Sequence, residues 1–283
     1  MDLPSAFLPL ATGEIDVLSQ VTWFVLVATG FALAASAIFS LGTRTHVAPE
    51  HQTSRVLTAC ICAVAALSYW YIQDAYRSGL EQVAVASAAS PAGADALERL
   101  LFVAAGQLRY MDWAVTTPLL LVKMATLLEP DFRRIRGPLA VALVGDVFMI
   151  VTGYIGEQQL GPGGAVLVGP HLAWGAVSTV GYLAVLYGMW GIWRLAAPGA
   201  KVVERRGYKW AAGTVWTLWG VYPIGYILFV VAPGLDTDWL HIAFSVADVA
   251  NKVGVGVVAY LVGARVLEQR IDIRSREYAM HVG

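Results

Sequence analysis

Seven apolar stretches, each long enough to cross a bilayer, decide what this chain can fold into. They run over roughly residues 19–41, 55–76, 102–128, 138–156, 171–193, 210–232 and 239–266, and a spanning helix needs about 20 mostly apolar residues. In hydrocarbon every backbone N–H and C=O must be satisfied within the chain, so such stretches become helices. Composition agrees: 58% of the 283 residues are hydrophobic and 14% charged, and the mean hydropathy is +0.62, too apolar for a surface that water must wet. The expected fold class is an all-α membrane protein, a seven-transmembrane-helix bundle forming a single domain over residues 1–283.

The basic residues give the orientation. Arg44 and Arg55, then Arg133, Arg134 and Arg136, then Arg194, Lys201, Arg205, Arg206 and Lys209, and finally Arg265, Arg270, Arg274 and Arg276 fall on one side. The other side holds Arg77 and Arg99 among acids, with Glu157, Asp236 and Asp238 in its remaining loops. The positive-inside bias puts the C-terminus in the cytoplasm and the N-terminus outside. The N-terminal residues lack the charged, apolar and small-residue order of a removable signal peptide, so the first span is expected to be retained. Residues 77–99, with their AVASAASPAGADA run, read as a long external loop. Cys60 and Cys62, two apart on one helix, point different ways and predict no disulfide. No basic nucleic-acid patch is present, and neither an enzyme nor a metal site is expected.

Three bases remain inside spans: Arg109, Lys123 and Lys252. An ionisable group at bilayer depth costs several kcal/mol and by default marks a relay, a pathway or a ligand counter-ion. Arg109, Asp112 and Thr116 stand at i, i+3 and i+7 on one helix face. Lys123 lies on the same face eleven residues past Asp112, about 16 Å along the axis at 1.5 Å per residue. Asp248 and Lys252 are i and i+4 on the last span. Buried ion pairs can be purely structural, but two carboxylates around a lysine also fit a buried cation with a compound counter-ion. A desolvated lysine is a nucleophile toward carbonyls.

The motifs RYMDWAVTTPLLL (109–121), WGVYP (219–223) and ADVANKVG (247–254), in order on the third, sixth and seventh spans, resemble the microbial (type 1) rhodopsins, proteorhodopsin-like and xanthorhodopsin-like members in particular. The resemblance covers roughly residues 19–267. It implies all-trans retinal held covalently on Lys252 as a protonated Schiff base, Asp112 as counter-ion and proton acceptor, Asp248 as second counter-ion, and Arg109 coupling both to the exterior. Trp113, Leu120, Met149, Gly153, Ser178, Trp219, Tyr222 and Pro223 match the retinal pocket, and Tyr69 the second-helix tyrosine near the counter-ions. It further implies a cell (plasma) membrane location, the lipid bilayer and protons as partners, and a homo-oligomer.

Within that family, acid then Thr at Asp112 and Thr116 resemble outward proton pumps, whereas sodium and chloride pumps carry other residues there. Lys123 occupies the donor position, as in a small proteorhodopsin-related subgroup that reprotonates through lysine; GDVFMIVTGYIGE (145–157) looks like the same subgroup. The implied function is a light-driven outward proton pump. Its alternative is a retinal photosensor with a slow photocycle signalling to a partner protein, and Lys123 could instead be an anchor snorkelling to the cytoplasmic interface. Asp146 matches a structural acid near the retinal ring. His241, on the face of Asp248, is a proton-release candidate as well as a structural histidine. Gly175 is the position of a window for an antenna carotenoid, or of simple helix packing.

One departure from the resemblance is testable. Proteorhodopsin-like pumps place a histidine beside the acceptor aspartate where this chain has Ser68. Ser68→His is expected to change the pH titration of the visible absorption maximum, and an unchanged titration would show that the position does not tune Asp112.

Overall fold

Most of the helices start where the sequence supplies a cap or a proline, and two of them run on past their apolar segments. The structure is a computed structural model describing residues 16–89, 91–161 and 165–282; the expected character of the first residues lies outside this range. Asp16 accepts from the Leu18 N–H at 3.1 Å and opens α1 (Val17–Gly42). Next come α2 (Gln52–Ala89), α3 (Pro91–Thr126), α4 (Phe132–Glu157, capped by Asp131) and α5 (Val168–Ala196). The sixth span is α6 (Val202–Thr217), a 3₁₀ turn at Leu218–Gly220, and α7 (Val221–Val231). The seventh is α8 (Thr237–Val249), a π turn at Ala250–Gly254, and α9 (Val255–Val282).

Six of these spans are long and apolar enough to cross a membrane on length and composition alone. The exception is α3, which carries Glu98, Arg99, Arg109, Asp112 and Lys123. Among the described residues the only strand-like feature is an isolated antiparallel bridge between Leu160 and Val166. The bundle is an all-α, multi-pass membrane protein. Its polarity is inverted relative to a soluble fold: Phe24, Phe31, Trp70, Val144, Leu183 and Trp210 face outward, while Arg109, Asp112, Lys123, Asp146, Asp248 and Lys252 are buried. Outward apolar side chains match lipid, and the charges find one another inside.

Two boundaries differ from the sequence reading. The expected loop over 77–99 is helical at its described residues, with α2 continuing to Ala89 and α3 starting at Pro91. Alanine is the strongest helix former and proline is at ease in the first helical turn, so the described residues on either side extend two helices beyond their apolar segments. The last helix likewise continues past 266 to Val282 as an exposed arm.

The breaks in the last two spans have local causes. Pro223 has no N–H to give the Trp219 carbonyl, and its ring crowds that oxygen, so the helix tightens into the turn at 218–220. The π turn at 250–254 widens the backbone at Lys252, a device that occurs mostly at functional sites.

Charges also meet at the end of the bundle where the arginines and lysines cluster, here called the basic end. Lys201 Nζ lies 2.9 Å from Glu204 Oε1, 3.6 Å from Glu129 Oε2 and 3.7 Å from Glu50 Oε1. Burial works against the Lys201 ammonium, but the hydrogen bond and charge of Glu204, with Glu129 and Glu50, outweigh it and raise its pKa. Partial burial, then the negative Glu204, push the Glu129 carboxyl up.

Helices α4 and α5 pack through glycine. A Cβ on Gly181 would stand 2.7 Å from the Met149 backbone N, and one on Gly145 would meet the Gly181 carbonyl at 2.8 Å. Backbone cannot step aside as a side chain can, so these positions set the separation of the two helices. Gly181→Val should cost about 1–3 kcal/mol through forced separation and lower the thermal midpoint of helix loss by several degrees in circular dichroism of the detergent-solubilised protein. Gly213→Ala, where a Cβ has open space, should leave the midpoint unchanged.

Candidate functional site

The inward face of α3 meets the last span at its π turn. Lys252 Nζ donates to Asp112 Oδ2 and lies 3.4 Å from Asp248 Oδ1. Asp248 accepts from two phenols, Tyr69 Oη at 2.9 Å and Tyr222 Oη at 2.7 Å. Arg109 Nη1 donates to the same Tyr69 oxygen at 2.9 Å, and its Nη2 stands 3.2 Å from His241 Nδ1. All four charged groups are at most 3% exposed. Two cations against two carboxylates balance formally, which is what lets such a group persist in the bundle interior; removal of one member leaves an uncompensated buried charge, typically about 3–5 kcal/mol.

The two aspartates are not equivalent. Both oxygens of Asp248 are occupied by phenol donors, whereas Asp112 Oδ1 has no hydrogen-bond partner and Asp112 Oδ2 is the direct contact of Lys252. Thr116, one turn along α3, is fully buried with its hydroxyl also unpartnered.

A cavity of about 470 Å³ runs from Lys252 through the middle of the bundle. Of the positions expected to form a pocket, Trp113, Leu120, Met149, Gly153, Ser178, Trp219, Tyr222 and Pro223 line it, as does Gly175. Tyr69 does not; it braces Asp248 and Arg109 from behind. Trp113 and Tyr222 meet edge to face with ring centroids 4.7 Å apart. A Cβ on Gly153 would come within 3.2 Å of Tyr110 Oη and 3.4 Å of Ser178 Oγ, so glycine keeps that wall open.

Lys123 stands apart from this group. It is fully buried and its amine has no hydrogen-bond partner. The amine reaches the last span at residue 256, where an added Cβ would sit 3.8 Å from Nζ, one turn beyond Lys252. Asp146 accepts from Thr117 Oγ1 at 2.8 Å and is not part of the cavity wall. Asp74 is exposed and outside the cluster.

Sequence reasoning missed several residues. Glu157, read as a loop acid, is the last residue of α4, is 8% exposed and lines the cavity beside Gly106. Its spacing of eleven from Asp146 and four from Gly153, all on one helix face, was the available signal. Asp238, also read as a loop acid, is buried and accepts from Ser19 and Tyr76. Asn251 is buried in the cavity wall with neither amide atom hydrogen bonded.

Comparison with known proteins agrees with this architecture. Residues 19–265 match the family model described as bacteriorhodopsin-like protein. The chain is 36% identical over 155 residues to archaerhodopsin-2 of Halobacterium sp. (strain aus-2), covering 53% of this chain and 54% of that protein, so the chain aligns with about half the length of that relative. It is 24% identical over 239 residues to the green-light absorbing proteorhodopsin of Gamma-proteobacterium EBAC31A08, covering 83% of each. The crystal structure of Exiguobacterium sibiricum rhodopsin superposes with a TM-score of 0.69 at 25% identity, covering 87% of this chain and 97% of that one. A family match across nearly all of the bundle, joined to a lysine between two buried aspartates, makes this chain a member of the bacteriorhodopsin-like family of microbial rhodopsins.

Proposed function

We propose that the protein is a light-driven outward proton pump in which Asp112 accepts the proton of the Lys252 nitrogen and Lys123 takes part in returning one from the cytoplasm. The observation that carries this reading is the asymmetry around Lys252: one carboxylate is saturated by two phenols, the other is in contact with the amine and has an oxygen to spare.

The cavity fits retinal. Its 470 Å³ volume lies within the roughly 300–1,000 Å³ usual for small-molecule sites, its walls are mainly aromatic and aliphatic, and Lys252 is the one amine lining it that could condense with an aldehyde. Retinal, when bound there, supplies visible absorption and the light-driven change of shape that disturbs the contact between Lys252 and Asp112.

The chain's own groups supply the rest. Asp112 Oδ2 receives the proton from Lys252 Nζ across the existing hydrogen bond, with the Thr116 hydroxyl one turn away to turn toward either charge state. Neutralising Asp112 removes negative charge from this cluster and leaves Arg109 held by the partners it already has, Tyr69 and His241, on the side away from the basic end. That makes His241 and the nearby buried Glu157 exits for a proton on the other side. With the basic end in the cytoplasm, this direction is outward. Lys123, buried without a partner and one turn along from Lys252 on the facing span, is placed as a refill group; full burial argues against a side chain stretched to the interface.

A second chromophore near Gly175 has a separate observation behind it. Gly175, Ala176, Thr179 and Ile227 line the cavity, and the last three are exposed to the lipid side, so the cavity reaches the bundle surface between the fifth and sixth spans. Glycine also has a packing reason, because a Cβ would stand 2.7 Å from Tyr226 Cε1. Energy transfer from an added hydroxylated carotenoid, lost in Gly175→Trp, would establish the antenna; no transfer in the native protein would leave packing as the role.

Illumination of unbuffered cells carrying the retinal-loaded protein should acidify the medium, and a protonophore should abolish the signal. A coloured, photocycling protein that moves no protons would overturn the pump and favour the sensor. Lys252→Ala should give no visible pigment. Asp112→Asn should keep pigment and lose acidification. Lys123→Ala should slow recovery of the visible absorption at least about tenfold, or ~1.4 kcal/mol, with a small diffusible weak acid restoring it. Recovery at the native rate would return Lys123 to an anchoring role.

A further inference from the structure

We infer that the basic end of the bundle holds a binding site for a divalent transition-metal cation of the zinc class, with His51, Glu129 and Glu204 as ligands. The sequence predicts no metal site, and these three residues lie far apart along the chain. His51 closes the 3₁₀ turn before α2, Glu129 lies in the connection from α3 to α4, and Glu204 is in the first turn of α6. Folding brings one nitrogen and two carboxylate oxygens within 4.8 Å of one another.

Three observations separate this group from an ordinary surface cluster. His51 is 0% exposed; its Nδ1 has no hydrogen-bond partner and its Nε2 has only carboxylate oxygens in reach, with no well-aligned hydrogen bond to either. A buried imidazole usually has a partner for each nitrogen. Here Nε2 points at the carboxylates, 3.3 Å from Glu129 Oε1 and 3.4 Å from Glu204 Oε1. Tetrahedral zinc with bonds of about 2.0–2.1 Å has ligand-to-ligand edges of about 3.3–3.4 Å, so both nitrogen-to-oxygen separations are those of ligands sharing one cation. The set of one histidine and two carboxylates suits zinc better than calcium or magnesium, which take oxygen ligands. Finally, Glu129 has a φ of 45°, positive as in no other described non-glycine residue. A backbone that would rest more easily on glycine instead carries a carboxylate here.

The charge count leaves room for a cation. Glu50, Glu129 and Glu204 face Lys201 and Arg270, three carboxylates against two cations. Lys201 is the natural competitor, since its amine holds Glu204 Oε1 at 2.9 Å, but its side chain is 43% exposed and can retreat to Glu50 and solvent. Metal and Lys201 ammonium are therefore alternative occupants of the same two carboxylates. A bound metal would tie the starts of the second and sixth spans to the connection between the third and fourth, a clamp across the end of the bundle. The inference does not depend on proton pumping.

The test uses tag-free, full-length protein in detergent, stripped with a chelator and titrated with zinc by isothermal calorimetry, with thermal stability followed in parallel. One saturating equivalent of micromolar or tighter affinity is expected, with a raised thermal midpoint. His51→Gln and Glu129→Gln should each weaken binding at least about tenfold, as loss of one ligand does. Lys201→Ala should tighten it by removing the competitor, and Glu268→Gln, an exposed carboxylate, should change nothing. Glu129 sits on a loop, so its variant tests the site even where His51→Gln does not fold. Absence of saturable binding in both the native protein and Lys201→Ala, or stoichiometric binding that survives both ligand substitutions, would overturn the site and leave His51 as the hub of an ion-pair cluster.

Discussion

The contact between Lys252 and Asp112 is the interaction around which the rest of the interior is arranged. A lone ammonium at this depth would be too costly to keep, and a single carboxylate beside it would leave nothing to hold the pair in register. The structure answers with a second aspartate fixed by two phenols, and with an arginine that shares one of those phenols. Tyr69 thus joins an anion and a cation that do not themselves touch at hydrogen-bond distance. The third helix supplies Arg109 and Asp112, the last supplies Asp248 and Lys252, and the second and sixth supply the hydroxyls. Four spans are tied by charges that no one of them could bury alone.

The distribution of unpartnered groups follows a logic of its own. The second aspartate is saturated, while Asp112 Oδ1, the Thr116 hydroxyl, the Asn251 amide and the Lys123 amine lack partners. Buried polar groups are normally satisfied. Other exceptions, such as Thr22, Asp146 Oδ1, Glu157 Oε2 and His171 Nδ1, are scattered through the bundle, but the groups on Asp112, Thr116, Asn251 and Lys123 run from Asp112 past Lys252 toward Lys123, where protons or ordered water would be accommodated. The same criterion picks out His51 at the basic end, well removed from that line.

Much of this was legible in the chain. Hydropathy located the spans because a bilayer demands long apolar runs, and the i, i+3, i+4 and i+7 spacings placed Arg109, Asp112, Thr116, Asp248 and Lys252 on shared faces. What hydropathy cannot see is a helix that outruns the bilayer: the small, Pro- and Gly-bearing residues within 77–99 resemble a loop, yet alanine carries α2 to Ala89 and α3 starts at Pro91. The same bias hid Glu157 and Asp238, since an acid outside an apolar window is assigned to water by default, although both are buried. His51, Glu129 and Glu204 were illegible for another reason. Their proximity exists only once three separate chain segments converge, and no spacing within any one segment signals it.

The two irregular turns carry a mechanical meaning. On the sixth span the backbone tightens at 218–220, and on the seventh it widens at 250–254. Trp219 in the first and Lys252 in the second both line the cavity. Elsewhere the spans keep one α-helical register, although Pro118 in the third and Pro138 in the fourth each omit a ladder bond. A guest that changed length inside the cavity would press on a wall whose compliance is concentrated at these two joints, one with a turn to unwind and the other with a turn to take up. The bundle thereby has a preferred direction in which to yield, set by its backbone before any light falls on it.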